Sequence, residues 1–203
     1  VLNGCNALSR QIDKSIDLDP MDYSIWGQVI GEGGQTVEYL TEHYLPKLKK
    51  AVDNFKFLCD KNSETGEIWS LVWIQGESNS SVAIKDWSAK VLQYQSEAID
   101  HILKTTGQTA IPYIYIYQFA SFFHFFPEFG YQTAQQEWLM SKNVENVVCF
   151  TPMYIFDYID NLHLNPIDYW FMGEYIGRAI HYTQFANQGK FRPVEPIDVI
   201  WTD

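Results

Sequence analysis

Apolar residues recur along this chain with two different periods, and these periods predict helices that alternate with strands. Between Val37 and Leu58 and between Ile84 and Ile102, apolar positions lie three and four residues apart, as on one face of a helix. Short apolar runs at 68–73, 111–118 and 147–150 have the length and the β-branched and aromatic content of strands. The pattern therefore predicts an α/β protein.

Glycine, proline and asparagine residues indicate where several elements begin or end. Pro46 is expected to mark the true start of its helix or a kink in it, and Gly107 to end the next helix. Asn165 and Pro166 predict a helix start, with an amide cap followed by proline, and Gly189 should end that helix. The remaining predicted elements are helices at 7–16 and 133–142 and a strand at 23–30.

Strands separated by helices of this length form parallel βαβ units, so we expect a parallel sheet covered by helices on both faces. A chain of 203 residues is long enough to bury one substantial core. We assign residues 1–190 to a single domain. Residues 191–203, which include Pro193 and Pro196, are predicted to form an extended linker towards a further module.

The acidic composition narrows the classes of partner. Asp and Glu outnumber Lys and Arg by 25 to 14, for a formal net charge of -11, which argues against a nucleic-acid ligand. The chain contains neither an apolar run long enough to span a membrane nor a signal-peptide pattern, so no membrane partner is predicted. The sequence does not identify a compartment, and an extracellular or virion-associated location is the preferred interpretation.

Aromatic residues make up 16% of the chain, and they suit either core packing or stacking on sugars. The dense apolar segment 113–131 is expected to pack under a loop or against a partner chain, which leaves a homo-oligomer open. Its alternative role is a wall of an acyl or sugar pocket. Cys5, Cys59 and Cys149 are widely spaced, so we expect buried free thiols rather than a zinc site or disulfides.

Polar residues follow the apolar run at 68–73 and predict a site at one edge of the sheet. Gln75, Gly76 and Glu77 place an amide, a flexible backbone and a carboxylate at the carboxyl end of a strand, where open α/β folds bind ligands. A simpler explanation is a polar turn that closes the strand.

Two further groups of residues add to this prediction. The glycine cluster at 31–36 lies between a predicted strand and a helix, where backbone N–H groups can point into a site. Asp160 and His163 lie three residues apart in a loop before the last helix. Taken alone, the glycines could form only a tight turn, and Asp160 could cap a loop beside an ordinary surface histidine. Together, the three groups predict hydrolysis.

In chain order, the three groups resemble three sequence blocks of the SGNH (GDSL) hydrolase superfamily. The matching segments are Gly-Gly-Gln-Thr at 33–36, Trp-Ile-Gln-Gly-Glu-Ser-Asn at 73–79 and Asp-Asn-Leu-His-Leu-Asn at 160–165. The branch they resemble most is that of the sialate O-acetylesterase-like and acetylxylan-esterase-like carbohydrate esterases. The resemblance runs from Gly31 to Gly177. It implies a flavodoxin-like three-layer α/β/α fold and the removal of acetyl or other acyl groups from glycan hydroxyls.

The resemblance also implies roles for individual residues. His163 would be the general base and acid, and Asp160 would hold its imidazole in the correct tautomer. No cofactor is implied. His163, Asp160 and Glu77 have no second spaced His or Cys ligand nearby, so no metal site is predicted.

The other two blocks would supply the oxyanion hole and its support. Gln75 and a backbone N–H at Gly34 or Gly33 would donate hydrogen bonds to the developing oxyanion. Glu77 is expected to order the loop rather than to touch substrate. The family often has Asp where Asn79 stands, so a role that depends on charge is not carried over to this position.

The serine nucleophile of the family has no counterpart in this chain. In the family it ends the first strand, whereas Gly4-Cys5-Asn6 has no preceding strand, and neither Ser9 nor Ser78 follows a strand-to-helix turn. That first strand lies between the second and third, so a sheet without it would leave backbone groups unpaired. We therefore expect a preceding polypeptide segment or another chain to supply both the strand and the serine.

An alternative function keeps the scaffold without its chemistry. The domain would then be a catalytically silent glycan-binding or structural module, for example in a phage tail or virion protein. A serine near His163 in the assembled protein would favour the esterase. A lysine, glycine or apolar residue there would favour the silent module.

Overall fold

The computed structural model of the chain describes residues 2–15, 19, 23–80, 85–121, 128, 130–186 and 188–193. Several sequence predictions lie outside the described residues: the helical positions Ile16 and Ile84, most of the aromatic segment after Ser121, and the linker beyond Pro193.

A parallel sheet of three strands forms the centre of the fold. Its strands are β1 (Ser70–Trp73), β2 (Tyr113–Gln118) and β3 (Val147–Pro152), in the order β1-β2-β3. The central strand β2 is buried at its inner positions, and β3 is buried throughout. Buried parallel strands of this kind are typical of sheets that helices cover on both faces.

The helices account for most of the remaining described residues. They are α1 (Leu2–Ser15), α2 (Val37–Asn62), α3 (Trp87–Thr106), α4 (Gly130–Asn143) and α5 (Pro166–Ile180), together with 3-10 turns at Glu77–Asn79 and Met153–Ile155 and a π turn at His181–Phe185. None of these helices combines the length and the hydropathy that a membrane span requires.

Side chains of β2 alternate between two apolar clusters on opposite faces of the sheet. Ile114 and Ile116 pack on the face that carries Trp87 of α3. Tyr115 and Tyr117 pack on the opposite face with residues of α1 and α5. The protein is therefore an α/β protein with helices on both sides of a small parallel sheet, which is compatible with three layers.

Some predicted helix boundaries agree with the structure and others do not. The helix predicted at 7–16 begins earlier, at Leu2. Gly107 ends α3 with φ 75°, and its N–H donates to the carbonyl of Leu103. The Asn165 side chain accepts from the N–H of Asp168 and caps α5. Pro46 does not mark the start of α2, because the helix begins at Val37, where the Thr36 side chain caps it. The last helix ends at Ile180, well before Gly189, and the π turn follows it.

The cysteine thiols are free, as the spacing predicted. Cys59 and Cys149 are buried, which confirms the expectation for these two, and Cys5 is only partly buried.

The prediction of a strand at 23–30 is wrong. This segment has no regular secondary structure, and two of its apolar side chains, Trp26 and Val29, are 66% and 72% exposed. Tyr23 and Ile30 still pack against the edges of apolar clusters. A strand requires backbone partners as well as a suitable pattern of side chains, and no described strand pairs with this segment.

The outer edge of β1 also lacks a neighbouring strand among the described residues. Among the described residues, β1 pairs only with β2. The N–H of Tyr113 donates to the carbonyl of Trp69, so the alternation of a parallel ladder turns the N–H and C=O of Ser70 and Val72 away from β2. The Val72 side chain is 40% exposed. This edge therefore has the backbone groups and the apolar surface to accept another strand.

Helices α1 and α5 approach closely at two glycines of α5. A Cβ atom at Gly173 would lie 2.6 Å from the side chain of Asn3, and one at Gly177 would lie 2.5 Å from Cβ of Ala7 and 2.7 Å from the backbone nitrogen of Leu8. The side chain of Asn3 also donates to the carbonyl of Trp170. The absence of side chains at these glycines is what allows the two helices to pack together.

We expect the substitution Gly177→Ala to destabilise the fold by about 1 to 3 kcal/mol, because the new methyl group meets backbone atoms that cannot move independently. At an uncrowded helical position, the same change normally stabilises by roughly 0.5 to 1 kcal/mol. Urea unfolding measures the difference. Gly31→Ala is the control, because no atom lies within 4 Å of its Cβ position. Equal stability of the two variants would contradict the close packing.

Candidate functional site

The loops that follow the strands bring most of the predicted site residues to the carboxyl edge of the sheet. The loop after β1 carries Gln75, Glu77 and Asn79, and the loop that leads from β3 to α5 carries Asp160 and His163. This is the edge at which open α/β sheets bind ligands.

Asp160 and His163 form a hydrogen-bonded pair. Nδ1 of His163 lies 3.0 Å from Oδ2 of Asp160. The other carboxylate oxygen, Oδ1, accepts from the backbone N–H groups of Leu162 and His163, at 2.8 and 2.6 Å. These bonds, from the His163 backbone first and its side chain second, hold the pKa of Asp160 at about 2. Asp160 is therefore an anion at neutral pH and orients the imidazole.

The loop around this pair is closed by backbone hydrogen bonds. The N–H of Ile159 donates to the carbonyl of His163, and the N–H of Asn165 donates to that of Asp157. A bridge between Tyr158 and Leu164 joins the two sides of the loop. The Asp-x-x-His spacing places the carboxylate over the N–H groups two and three residues ahead, a turn that Asp favours.

The pair is open to solvent on its outer side. The side chains of Asp160 and His163 are 54% and 58% exposed. With Nδ1 directed at Asp160, the ring nitrogen Nε2 is on the far side of the imidazole, and no hydrogen bond joins it to a described residue. The imidazole therefore directs Nε2 away from Asp160.

The amide of Gln75 is buried and fully hydrogen-bonded. Its Nε2 lies 3.2 Å from the carbonyl of Gln35 and 2.6 Å from Oδ1 of Asn79, so each of its two hydrogens has an acceptor. Its Oε1 accepts from the indole N–H of Trp87. In this arrangement Gln75 connects β1 to the glycine-containing turn, and donation to a substrate requires one of these bonds to open.

Asn79 ties the loop after β1 to the start of α2. Its Oδ1 accepts from the N–H of Val37 at 2.8 Å, and its Nδ2 donates to Glu38 at 3.1 Å. Burial alone would raise the pKa of Glu38, but hydrogen bonds from Lys90, its own backbone and Asn79 lower it to about 2. An aspartate at position 79 would face this ionised carboxylate, which explains why an amide suits this site.

The glycines of the predicted oxyanion hole lie in an exposed turn before α2. Gly34 has φ 75°, a conformation that favours glycine, and no atom lies within 4 Å of the Cβ positions of Gly33 or Gly34. No described contact joins either glycine to His163. Among the described residues, the bond between Gln35 and Gln75 connects the turn to the loop after β1.

Glu77 occupies a partly buried position in the loop after β1. Both of its carboxylate oxygens lie 2.6 Å from the hydroxyl of Tyr117, which donates to them. Burial raises the pKa of Glu77, while the Tyr117 hydroxyl and, more weakly, a charged His163 oppose that rise. Glu77 of the loop after β1 therefore lies close enough to the Asp160–His163 loop for the charge of His163 to act on it. The ordering role expected for Glu77 stays a prediction.

Sequence reasoning missed a second buried carboxyl group at this edge, Glu137 of α4. It is 1% exposed, and its Oε2 accepts from the N–H of Phe119 at 2.8 Å. Burial, with a smaller contribution from the charge of Glu77, raises the pKa of Glu137 well above its usual value. A Cβ atom at Gly76 would lie 2.6 Å from its Oε1, so a side chain at this position would have to displace the Glu137 carboxylate. In the sequence, the residue that could have indicated a close approach here is Gly76, which we interpreted only as a flexible position.

The described residues contain no group of three or more His, Cys, Asp and Glu side chains that could hold a metal ion. Comparisons of the chain with protein-family models, with curated proteins and with solved structures found no match.

We expect Glu137→Gln to remove a pH-dependent loss of stability. Because the folded-state pKa of Glu137 is raised, the native protein binds more protons than the unfolded chain above the unfolded pKa of about 4.3. The contribution of Glu137 to stability is thus greatest below that pH and declines as the pH rises towards the folded pKa. Glutamine keeps an acceptor for the Phe119 N–H but does not titrate.

Urea unfolding over a pH series between about 4 and 8 measures this effect. The variant should show a shallower decline in the free energy of unfolding than the parent protein. Glu64→Gln, at an exposed position, is the control. Parallel curves for Glu137→Gln and the parent would show that Glu137 does not titrate abnormally.

Proposed function

We propose that this domain carries the His–Asp part of a serine carbohydrate O-acetylesterase whose nucleophile comes from outside the chain. The observation that supports this most directly is the Asp160–His163 pair, in which two backbone N–H groups and the imidazole fix the carboxylate. The pair lies on a closed loop at the carboxyl edge of a parallel sheet. Its outer ring nitrogen is directed away from the carboxylate.

In the proposed reaction, Nε2 of His163 takes the proton from a serine hydroxyl as that oxygen attacks the acyl carbonyl. It then returns the proton to the sugar oxygen as the ester bond breaks. Asp160 stays ionised, because its pKa is held at about 2, and it stabilises the imidazolium. Water hydrolyses the acyl-serine in a second round of the same proton transfers.

The unpaired edge of β1 is the proposed place of entry for the serine. A strand from a preceding segment, or from another chain, would pair with the outward N–H and C=O groups of Ser70 and Val72. Its carboxyl end would then lie beside Gln75 and Glu77. This strand would also cover the exposed side chain of Val72 and give residues 23–30 a neighbour.

The oxyanion hole requires a local rearrangement in this proposal. Gln75 would exchange its bond to Gln35 or Asn79 for one to the oxyanion when the added segment reshapes the turn at Gly33 and Gly34. Such donors typically contribute about 2.7 to 4 kcal/mol to transition-state stabilisation. The substrate would be an acylated glycan. The acidic character of the protein is compatible with neutral sugars, and the proposed location is extracellular or virion-associated.

One observation favours a second candidate function. Both hydrogens of the Gln75 amide already have protein acceptors, so the amide is satisfied without any substrate. A domain that kept its scaffold but lost its chemistry would show the same arrangement. In that case the domain would bind glycans or serve as a structural module within a homo-oligomer, without hydrolysing an ester.

Acetate release from acetylated sugars by the full-length protein separates the two candidates. His163→Ala should lower kcat by at least about 10²-fold, because the general base is lost. His101→Ala is the matched control, since His101 also forms a hydrogen bond to a carboxylate, that of Asp53 at 2.7 Å, far along the chain from the proposed site. Asp160→Asn should lower kcat more than it changes KM. Equal turnover by His163→Ala and the parent protein would exclude the esterase.

Residue-resolved amide hydrogen exchange tests the proposed strand addition separately. In the isolated chain, the Val72 N–H should exchange quickly, while the Leu71 N–H, which faces β2, should be protected. In the longer protein or the assembly, the Val72 N–H should become protected as well. Rapid exchange of Val72 in both forms would contradict pairing at this edge.

A further inference from the structure

Two aliphatic side chains of the Asp160–His163 loop lie in solvent. Ile159, which directly precedes Asp160, is 68% exposed, and Leu162, which directly precedes His163, is 37% exposed. A single exposed apolar side chain is common on protein surfaces and needs no explanation. The position of these two side chains relative to the imidazole decides whether they can serve the proposed site.

The hydrogen bonds of the loop place Ile159 beside His163. The N–H of Ile159 donates to the carbonyl of His163 at 2.9 Å, and Tyr158 and Leu164 form an antiparallel bridge as the next pair away from the turn. In this register Ile159 lies directly opposite His163. Opposite residues of an antiparallel pair extend to the same face, with their Cβ atoms roughly 4.5 to 5.5 Å apart.

The burial of the two pairs agrees with this alternation of faces. Leu164 is buried in the apolar cluster that also contains Tyr117, and Tyr158 packs against the same cluster. The side chains of Ile159 and His163, by contrast, are both more than half exposed. The Tyr158–Leu164 pair therefore anchors the loop to the core, while Ile159 and the imidazole extend together into solvent.

We infer that Ile159 contacts the acyl chain of the substrate, with Leu162 beside it, so that an acyl group longer than acetyl gains contacts that acetyl does not make. The inference rests on the proposed esterase function. In that reaction, the oxygen that attacks the acyl carbon is hydrogen-bonded to Nε2 of His163, so the acyl chain lies close to the imidazole. A flat aromatic ring would suit a sugar, whereas branched aliphatic side chains suit an alkyl chain.

Hydrolysis of p-nitrophenyl acetate and p-nitrophenyl butyrate by the full-length protein tests this inference, with the rate of His163→Ala subtracted from each. The two esters share a leaving group and differ by two methylenes. A methylene enclosed in a pocket changes kcat/KM by about ten-fold or more, but one that keeps a side in water contributes less, about two-fold. In Ile159→Thr, which keeps the β-branched shape, the butyrate-to-acetate ratio of kcat/KM should therefore fall by about two- to four-fold relative to the parent.

Two control variants accompany this test, and circular dichroism checks that each variant is folded. Ile159→Val has the shape of the threonine variant but stays apolar, so it should keep most of the parent ratio. Ile111→Thr, at an exposed position before β2 and at the opposite edge of the sheet, should match the parent. An unchanged ratio in Ile159→Thr, while hydrolysis still depends on His163, would overturn the inference and leave the esterase standing. If neither ester is hydrolysed in a way that depends on His163, the esterase proposal fails and this inference fails with it.

Discussion

Backbone hydrogen bonding along β1 is the constraint on which the rest of this structure depends. A parallel strand presents N–H and C=O groups on both edges, and in the part of the chain that the structure describes β1 pairs with β2 on one of them. Three features accompany the unpaired edge: the Val72 side chain is exposed, residues 23–30 run without regular structure, and the Asp160–His163 loop is open to solvent. One added strand would cover the Val72 side chain and give residues 23–30 a neighbouring strand. It would also bring new groups close to the Asp160–His163 loop.

The described residues nevertheless build firm support for a site at the carboxyl edge. Asn79 joins the loop after β1 to α2, the Tyr117 hydroxyl holds Glu77, and Asp160 closes its own loop over two backbone N–H groups. These contacts need no ligand and no partner chain. In our account, the supporting structure is present in this chain and the reacting alcohol is supplied to it. The satisfied amide of Gln75 is the feature that agrees least well with catalysis without rearrangement.

Much of the fold could be predicted from the sequence, because regular apolar spacing and capping residues act locally. The ends of α3 and α5 show this, since Gly107 and Asn165 act on neighbouring backbone groups. The strand at 23–30 could not be judged locally, because pairing depends on a neighbour that the pattern of this segment does not contain. Of the two roles expected for Pro46, the helix start is excluded because the helix begins at Val37, while the kink stays a prediction.

Within the candidate site, the Asp160–His163 contact followed from spacing, because three residues in a turn bring these side chains together. The partners of Gln75 and the burial of Glu137 did not, since they depend on residues that are distant in the chain. Gln35 and Gln75 meet across two elements, and Glu137 reaches the N–H of Phe119 from α4. Such long-range polar contacts decide whether a side chain is free to act on a ligand, and they are visible only in the folded structure.

Labelling with a fluorophosphonate, followed by peptide mapping, tests the central claim most directly. In the full-length protein or assembly, we predict one modified serine that lies outside residues 1–203, with labelling lost in His163→Ala. Modification of a serine within residues 1–203, or labelling that persists without His163, would contradict a nucleophile supplied from outside the chain. The absence of any labelled serine would contradict the esterase itself.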